Sequence, residues 1–512
     1  MSIRFRTNRS CVATVLCAGL IGLSANSAFA QSEIIDELLD KLRDKGVLSD
    51  DEYQALKKAR EEERLEQRAE RRRQAVKAAQ DQEKEEKAKQ ATKVDINPGI
   101  RSIQLFGDVR LRYESRAGSS SFAVPGTGGA FDWTADRWRY AARIGIRGDL
   151  TENWFYGLRL DTGTNPRSSW VTFGNNSNAT AGGVAPYGKT GDAISIGQVY
   201  AGWRTWPWLT LQAGKMPNPF FTTPMVWDPD INPEGLAERL SFAVNDKLTL
   251  FGNFGQFVYQ HYNPNDTSGG LSLGNHEGYQ FGWQGGVNYQ FNEKVSGRAA
   301  ISFYNYSGMN QTTAFTPTIS NGFGGPFAKG PQNTTVASNL AFHNGTNSLR
   351  YFSFPAEVNF PIGSWSARGF GDLAYNIQAG DRAQAGNYAS VGDEPLAYQL
   401  GLAVGTNLGL TMNQVAAKKN TWEARVYWQQ VQLNSIDPNL TDSDFFEGRT
   451  NLEGIFVAFA YAPSDSIIGT FRFGGAHRLN ANAPTPGSNP DIPQVQPLTQ
   501  YKLLQFDLTW KF

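Results

Sequence analysis

Cysteine is nearly absent from this chain of 512 residues: the two that exist, Cys11 and Cys17, both fall within the first 30 positions. Once that stretch is removed, the remainder can form no disulfide and offers no thiolate for catalysis or metal binding. Histidine is scarce too, with only four residues, His261, His276, His343 and His477. No His-x-x-His pair, Gly-x-Ser-x-Gly elbow or phosphate-binding loop is present, so nothing points to an enzyme, and neither a cofactor nor a bound metal is expected. Apolar runs stay well short of the roughly 18 residues that a membrane-spanning helix needs, which excludes the helical membrane proteins. Net charge of one sign is missing as well: 48 Lys+Arg balance 48 Asp+Glu, and no basic patch for nucleic acid stands out.

The charges that exist are unevenly placed. Residues 31 to 95 hold 34 of them in 65 positions, while residues 96 to 512 carry all 13 Trp. Ahead of both, Arg4, Arg6 and Arg9 precede an apolar stretch from Cys11 to Leu23, and Ala28-Phe29-Ala30 supplies the small residues that a signal peptidase reads. We read 1–30 as a secretory signal. Lipid attachment at Cys17 is disfavoured by the bulky Leu16 before it and the apolar residues after it. An exported chain without cysteine suits the Gram-negative envelope.

Residues 31–95 read as a charged helical or coiled-coil segment. Ile34, Ile35, Leu38, Leu39 and Leu42 recur at helical spacing, Gly46 stands where a helix would end, and Ser49 with Glu52 forms a capping box that opens a second helix. Beyond it, opposite charges three or four apart support a solvated helix. Two readings stand: a periplasmic coiled-coil stalk that helps a trimer assemble, or a plain spacer, either a charged helix or a disordered linker.

From Ile103 the period changes to two. Ile103, Leu105, Val109, Leu111 and Tyr113 share one face, and Asp108, Arg110, Arg112 and Glu114 the other. The next stretch sets Trp138, Tyr140, Ala142, Ile144 and Ile146 against Arg137, Arg139, Arg143 and Arg147. Segments of this kind number about sixteen between 102 and 512, joined alternately by short turns such as Asn245-Asp246 and long loops such as 307 to 348. The fold class expected for 96–512 is therefore an all-β transmembrane barrel of antiparallel strands, closed so that every backbone group is satisfied in lipid. Trp138, Trp154, Trp203, Trp206, Trp208 and Trp510 fit aromatic girdles. Arg110, Arg112, Arg137, Arg139, Arg143, Arg147, Arg159 and Arg204 fall on the polar face and are the candidate pore-lining residues. They read either as a positive wall that favours anions or, with Asp108, Glu114, Asp149 and Asp161 among them, as ion pairs that hold the wall in shape.

Gly214-Lys215-Met216-Pro217-Asn218-Pro219-Phe220 and Val226-Trp227-Asp228-Pro229-Asp230-Ile231-Asn232-Pro233-Glu234-Gly235, with the signal and the charged helix, resemble the family described as "putative porins" of Proteobacteria. That family is similar in plan to the phosphate-selective porins, sixteen-stranded trimers, although this chain lacks their lysine cluster. The resemblance implies a homotrimer in the outer membrane, in contact with its lipid, that passes small solutes and ions. It also implies that the third long loop, Met216 to Gly235, folds into the lumen, where the residues alone allow an external loop braced by proline and aromatics. The candidate constriction residues are Lys215, Pro217, Pro219, Trp227, Asp228, Asp230, Asn232 and Glu234. Asp228, Asp230 and Asn232 faintly match a calcium loop, but Pro233 occupies the position where such a loop turns on Gly. Phe512, ending an alternating strand, resembles the signal read by the barrel assembly machinery. The competing function is a structural or adhesive outer-membrane barrel tethered through its periplasmic helix.

Overall fold

The structure, a computed structural model, describes residues 41–46, 49–59, 62, 99–120, 131–163, 168–174, 193–260, 278–307, 348–385, 389–483, 485–487 and 498–512. The chain divides into two units, Met1–Ala91 and Thr92–Phe512. In the first, helical residues 41–44 lead into Gly46, which takes a left-handed φ of 69°, as a helix end favours. Residues 50–59 form a helix whose start is capped reciprocally. The Ser49 amide donates to Glu52 Oε2 at 3.0 Å, and the Glu52 amide donates to Ser49 Oγ at 3.4 Å. The candidate signal, its cleavage site and the apolar residues Ile34 to Leu39 lie outside the described residues.

The second unit is one closed antiparallel sheet. Its first half comprises β1 Gln104–Ser120, β2 Phe131–Asp149, β3 Trp154–Thr162, β4 Val171–Thr172, β5 Ile194–Trp206, β6 Leu209–Lys215, β7 Glu234–Ala243, β8 Leu248–Gln260 and β9 Gly278–Asn292. The second half comprises β10 Val295–Ser307, β11 Arg350–Ser353, β12 Ala356–Ile362, β13 Trp365–Asn376, β14 Leu396–Gly405, β15 Thr421–Val431, β16 Leu452–Ala462, β17 Ile467–Arg478 and β18 Leu498–Lys511. Alternation over 349–361 reads as one strand, but the structure has two, β11 and β12, interrupted at Phe354-Pro355. Proline cannot donate to the ladder, yet both pieces pair with β10 and β13 and form one stave. The two-residue β4 pairs with β2 at Arg139 and Tyr140, beyond the end of β3. Counted this way the barrel has 16 staves.

Closure joins β18 to β1, from Asp108 opposite Lys511 to Ser120 opposite Leu498. The last residue completes it: the Phe512 amide donates to the Gly107 carbonyl at 3.1 Å and the Gly107 amide to the Phe512 carbonyl at 2.9 Å. Position 107 must be glycine, because a Cβ there would stand 2.4 Å from the Arg143 carbonyl oxygen and 2.7 Å from the Phe512 ring. Short turns close one end of the barrel, together with one longer connector, residues 406–420, whose buried Thr411 is held from the inner face by Arg425 and Arg472. Asn245 and Asn292 solve two of the short turns identically, each side-chain oxygen accepting the amides two and three residues on.

The alternation resolves into two surfaces. On β1, Leu105, Val109 and Leu111 are exposed while Asp108, Arg110, Arg112, Glu114 and Arg116 are buried, so the apolar set faces outward. At the turn end, Trp154 stacks on Trp203 with centroids 5.5 Å apart, and Trp206 on Trp208 at 5.3 Å. Rings of this kind belong at the lipid–water boundary.

Candidate functional site

Two loops turn into the barrel and meet there. The first, residues 216–233 between β6 and β7, reaches the inner face of strands on several sides. The Phe221 amide donates to Gln284 Oε1 on β9 at 2.9 Å, and Thr223 Oγ1 donates to Asp372 Oδ2 on β13 at 2.8 Å. On the other side, Arg143 Nη1 on β2 donates to Asp230 Oδ1 at 3.1 Å and Gln198 Nε2 on β5 to Asn232 Oδ1 at 2.9 Å. Phe220 seats the loop. Its ring lies edge-on to Tyr304 at 5.4 Å, over two glycines whose side chains would collide with it, Gly255 and Gly282.

The second loop, residues 432–451 between β15 and β16, packs on the first. The Asp228 amide donates to the Leu440 carbonyl at 2.6 Å, the Asp442 amide to the Pro224 carbonyl at 2.9 Å, and Thr441 Oγ1 to the Met225 carbonyl. Its Phe445 is buried beside Tyr427 and Phe456, and buried Phe446 packs on Phe445. Nothing in the strand pattern announced this loop. The signal was there in Ile436, Leu440, Phe445 and Phe446, apolar residues that an external loop has no reason to carry, and in aromatics such as Tyr304, Tyr351 and Tyr427 on a face otherwise polar.

Charge pairing fastens the second loop to the wall. Glu114, with no exposed surface, accepts from Arg137 at 2.6 Å, from Arg116 at 3.0 Å and from Arg112 and Arg139 at 3.4 Å. Arg112 also holds Asp507 at 2.6 Å and Asp444 at 3.0 Å, and Arg116 holds Glu447 at 2.7 Å. Burial alone would raise the Asp444 carboxyl, but Arg112 and Arg116 override it and hold it well below the usual carboxylate range. Its neighbour Asp442 goes the other way, pushed up to about 7 by burial and then by the Asp444 charge.

All eight candidate pore arginines lie on the inner face, and seven have a carboxylate partner: Arg110 with Asp108, Arg112 with Asp507, Arg137 and Arg139 with Glu114, Arg143 with Asp108, Arg159 with Asp161 and Arg204 with Asp149. Arg147 instead donates to the Gln104 amide oxygen at 3.0 Å. Arg110, Arg112 and Arg139 are buried, Arg112 beneath the Trp170 ring at 4.0 Å, whereas Arg147 and Arg204 are exposed.

Among the candidate constriction residues, Trp227, Asp228 and Pro219 are buried, Asp230 and Asn232 partly exposed, and Pro217 exposed. Lys215 and Glu234 face each other at the loop's two ends, 3.1 Å apart. The Asp228 carboxylate accepts the amides of Asp230 at 2.9 Å and Ser443 at 3.2 Å. The oxygens that a calcium loop would use are thus engaged by the protein itself. Beside this loop an open cavity of about 230 Å³ is lined by Asp161, Ser169, Ser195, Lys215, Asp230 and Asn232.

The sequence pattern of the family described as "Putative porin" matches residues 131–322 and 366–512, and the chain belongs to that family. Family and fold together define a porin-type β-barrel of the outer membrane, a channel and not an enzyme. Among solved structures, a complex of Salmonella typhi OmpF with daunomycin is similar at 11% identity, covering 82% of this chain and 99% of its own, with a TM-score of 0.42. No curated protein sequence matches.

Proposed function

We propose that this barrel is a narrowed diffusion channel for small hydrophilic solutes and ions, with residues 216–233 as its constriction. The observation that carries the reading is the path of that loop, held to β2 and β5 on one side and to β9 and β13 on the other, with a polar cavity left open beside it. The loop end of the channel then faces the outside, the short turns and the N-terminal segment face the periplasm, and Phe512 offers the assembly machinery its recognition signal. Like its family's plan, the assembly is a homotrimer.

Ion preference in this channel is weak. A wall of free arginines would select anions strongly, but seven of the eight candidates sit against carboxylates, leaving Arg147, held by the Gln104 amide oxygen, as the one of the eight that adds to an anion lean. Reversal potentials across a salt gradient test this: a value slightly on the anion side that falls to zero in Arg147→Gln supports it, and a cation-selective wild type contradicts it. Because both inward loops also bring an apolar cluster into the lumen, the competing structural barrel makes a distinct prediction, namely inserted protein that passes no current.

A further inference from the structure

We propose that the outer face of β3 and β5 to β8 is the seat of a second copy of this chain. This deepens the trimer reading above by naming the face on which it rests. The first observation is a polar pair where lipid should be. On β7, Glu238 shares its face with Leu236 and Phe242, both exposed, while Ala237 points inward and is buried. On β8, Gln256 shares its face with exposed Leu250 and Val258. Gln256 Nε2 donates to Glu238 Oε2 at 3.0 Å. Phe242 stacks on Trp208 in the aromatic cluster of the turn end. Glu238 is four residues farther along the same strand, so at about 2.5 Å of height per residue it stands roughly 10 Å inside the apolar band. A carboxylate facing acyl chains there is unfavourable, and a protein surface removes the conflict.

The second observation is the wall's height. β6 has only 7 residues, against the roughly 9 to 11 that a tilted strand needs to cross the hydrocarbon. At β6 the chain then turns inward as the constriction loop, so the wall is lowest next to the polar pair. The third is shape. Ala201 and Ala213 are exposed on this face, and toward its loop end the outward residues are Ile194, Ile196, Val199, Leu236 and Val258 rather than the aromatics of a lipid boundary.

A copy of the same chain fits best. Five tilted staves present about 30 Å by 25 Å, near the roughly 800 Å² per partner of a stable interface. Rotational symmetry brings one small patch from each copy together about the axis. There the pair complements itself: Gln256 of one copy, which both donates and accepts, can donate to the Glu238 carboxylate of the next.

Cysteine crosslinking in the full chain tests the face, since the segment from residue 31 onward has no cysteine of its own. Ala213→Cys and Leu400→Cys, the latter 69% exposed on β14, are treated in outer membranes with a short bis-maleimide, and heat-modifiable mobility verifies folding. The proposal expects multimers of this chain from Ala213→Cys and monomer from Leu400→Cys. It also expects Ala213→Trp, but not Leu400→Trp, to lower the temperature at which the native oligomer dissociates. Multimers from Leu400→Cys alone, a crosslink from Ala213→Cys to a different protein, or a native monomer would each overturn it. A monomer that conducts would leave the channel reading intact, whereas a crosslinked trimer without current would sink the channel reading and keep the face.

Discussion

Neutralising Glu114 is the sharpest perturbation of the wall. This carboxylate has no exposed surface and sits within 3.4 Å of four guanidinium groups, Arg112, Arg116, Arg137 and Arg139, with Gln505 Nε2 at 2.7 Å. Glu114→Gln keeps the shape and removes the charge. Truncating one partner of a buried ion cluster costs about 3 to 5 kcal/mol. Here Asp444, Glu447 and Asp507 still balance Arg112 and Arg116, so the expected loss is near the lower limit, about 3 kcal/mol, or roughly a hundredfold in the folding equilibrium. Urea titration of the lipid-inserted barrel, followed by tryptophan fluorescence, reads it. Because the charge lost is negative and beside the lumen, the reversal potential of Glu114→Gln should also move toward anions. A double substitution, Glu114→Gln with Arg137→Gln, should destabilise by less than the sum of the singles, because the two act through one contact. A variant whose stability stays within about 0.5 kcal/mol of wild type, with unchanged selectivity, would refute the buried cluster as the clamp of the second loop.

Three further outcomes follow from the two inward loops and the closure. Phe220→Ala empties the niche over Gly255 and Gly282 and should cost about 3 to 5 kcal/mol while raising single-channel conductance; unchanged current would show that residues 216–233 do not set the constriction. Asp442 carries a folded pKa raised to about 7, above its unfolded value of about 4. Its protonated form is therefore the one that the fold favours, and the cost of ionising it grows as pH rises from about 4 to 7 and persists above. Asp442→Asn should then raise the melting temperature at pH 8 more than at pH 4, and an equal gain at both would contradict the burial argument. Gly107→Val places a side chain against the Arg143 carbonyl and the Phe512 ring and should lower the yield of heat-modifiable barrel in outer-membrane fractions, with wild-type yield as the opposing result.

The barrel was readable because its signal is strictly local. Each strand writes its two faces in alternate letters, and Asn245 and Asn292 mark turns by chemistry confined to three residues. The inward path of 216–233 came from resemblance. Its anchors, Gln284, Asp372, Gly255 and Gly282, lie on strands remote in sequence and carry no mark of their purpose. Arg112 shows why the site was harder to read than the fold. Its place on the polar face was plain, but its partners are 332 and 395 positions away at Asp444 and Asp507. Only closure of the sheet brings them together, and with them the difference between an open cation and a buried ion pair. Alternation alone reads the chain around Pro355 as one strand, whereas a residue without an amide hydrogen breaks the ladder there and the chain makes two.

The central claim is an open but narrowed water path through the barrel. Single-channel recording of the purified, full-length protein in planar bilayers, with heat-modifiable mobility as proof of folding, tests it most directly. The account predicts discrete conductance steps that enlarge in Phe220→Ala; inserted, correctly folded protein that passes no current would contradict it.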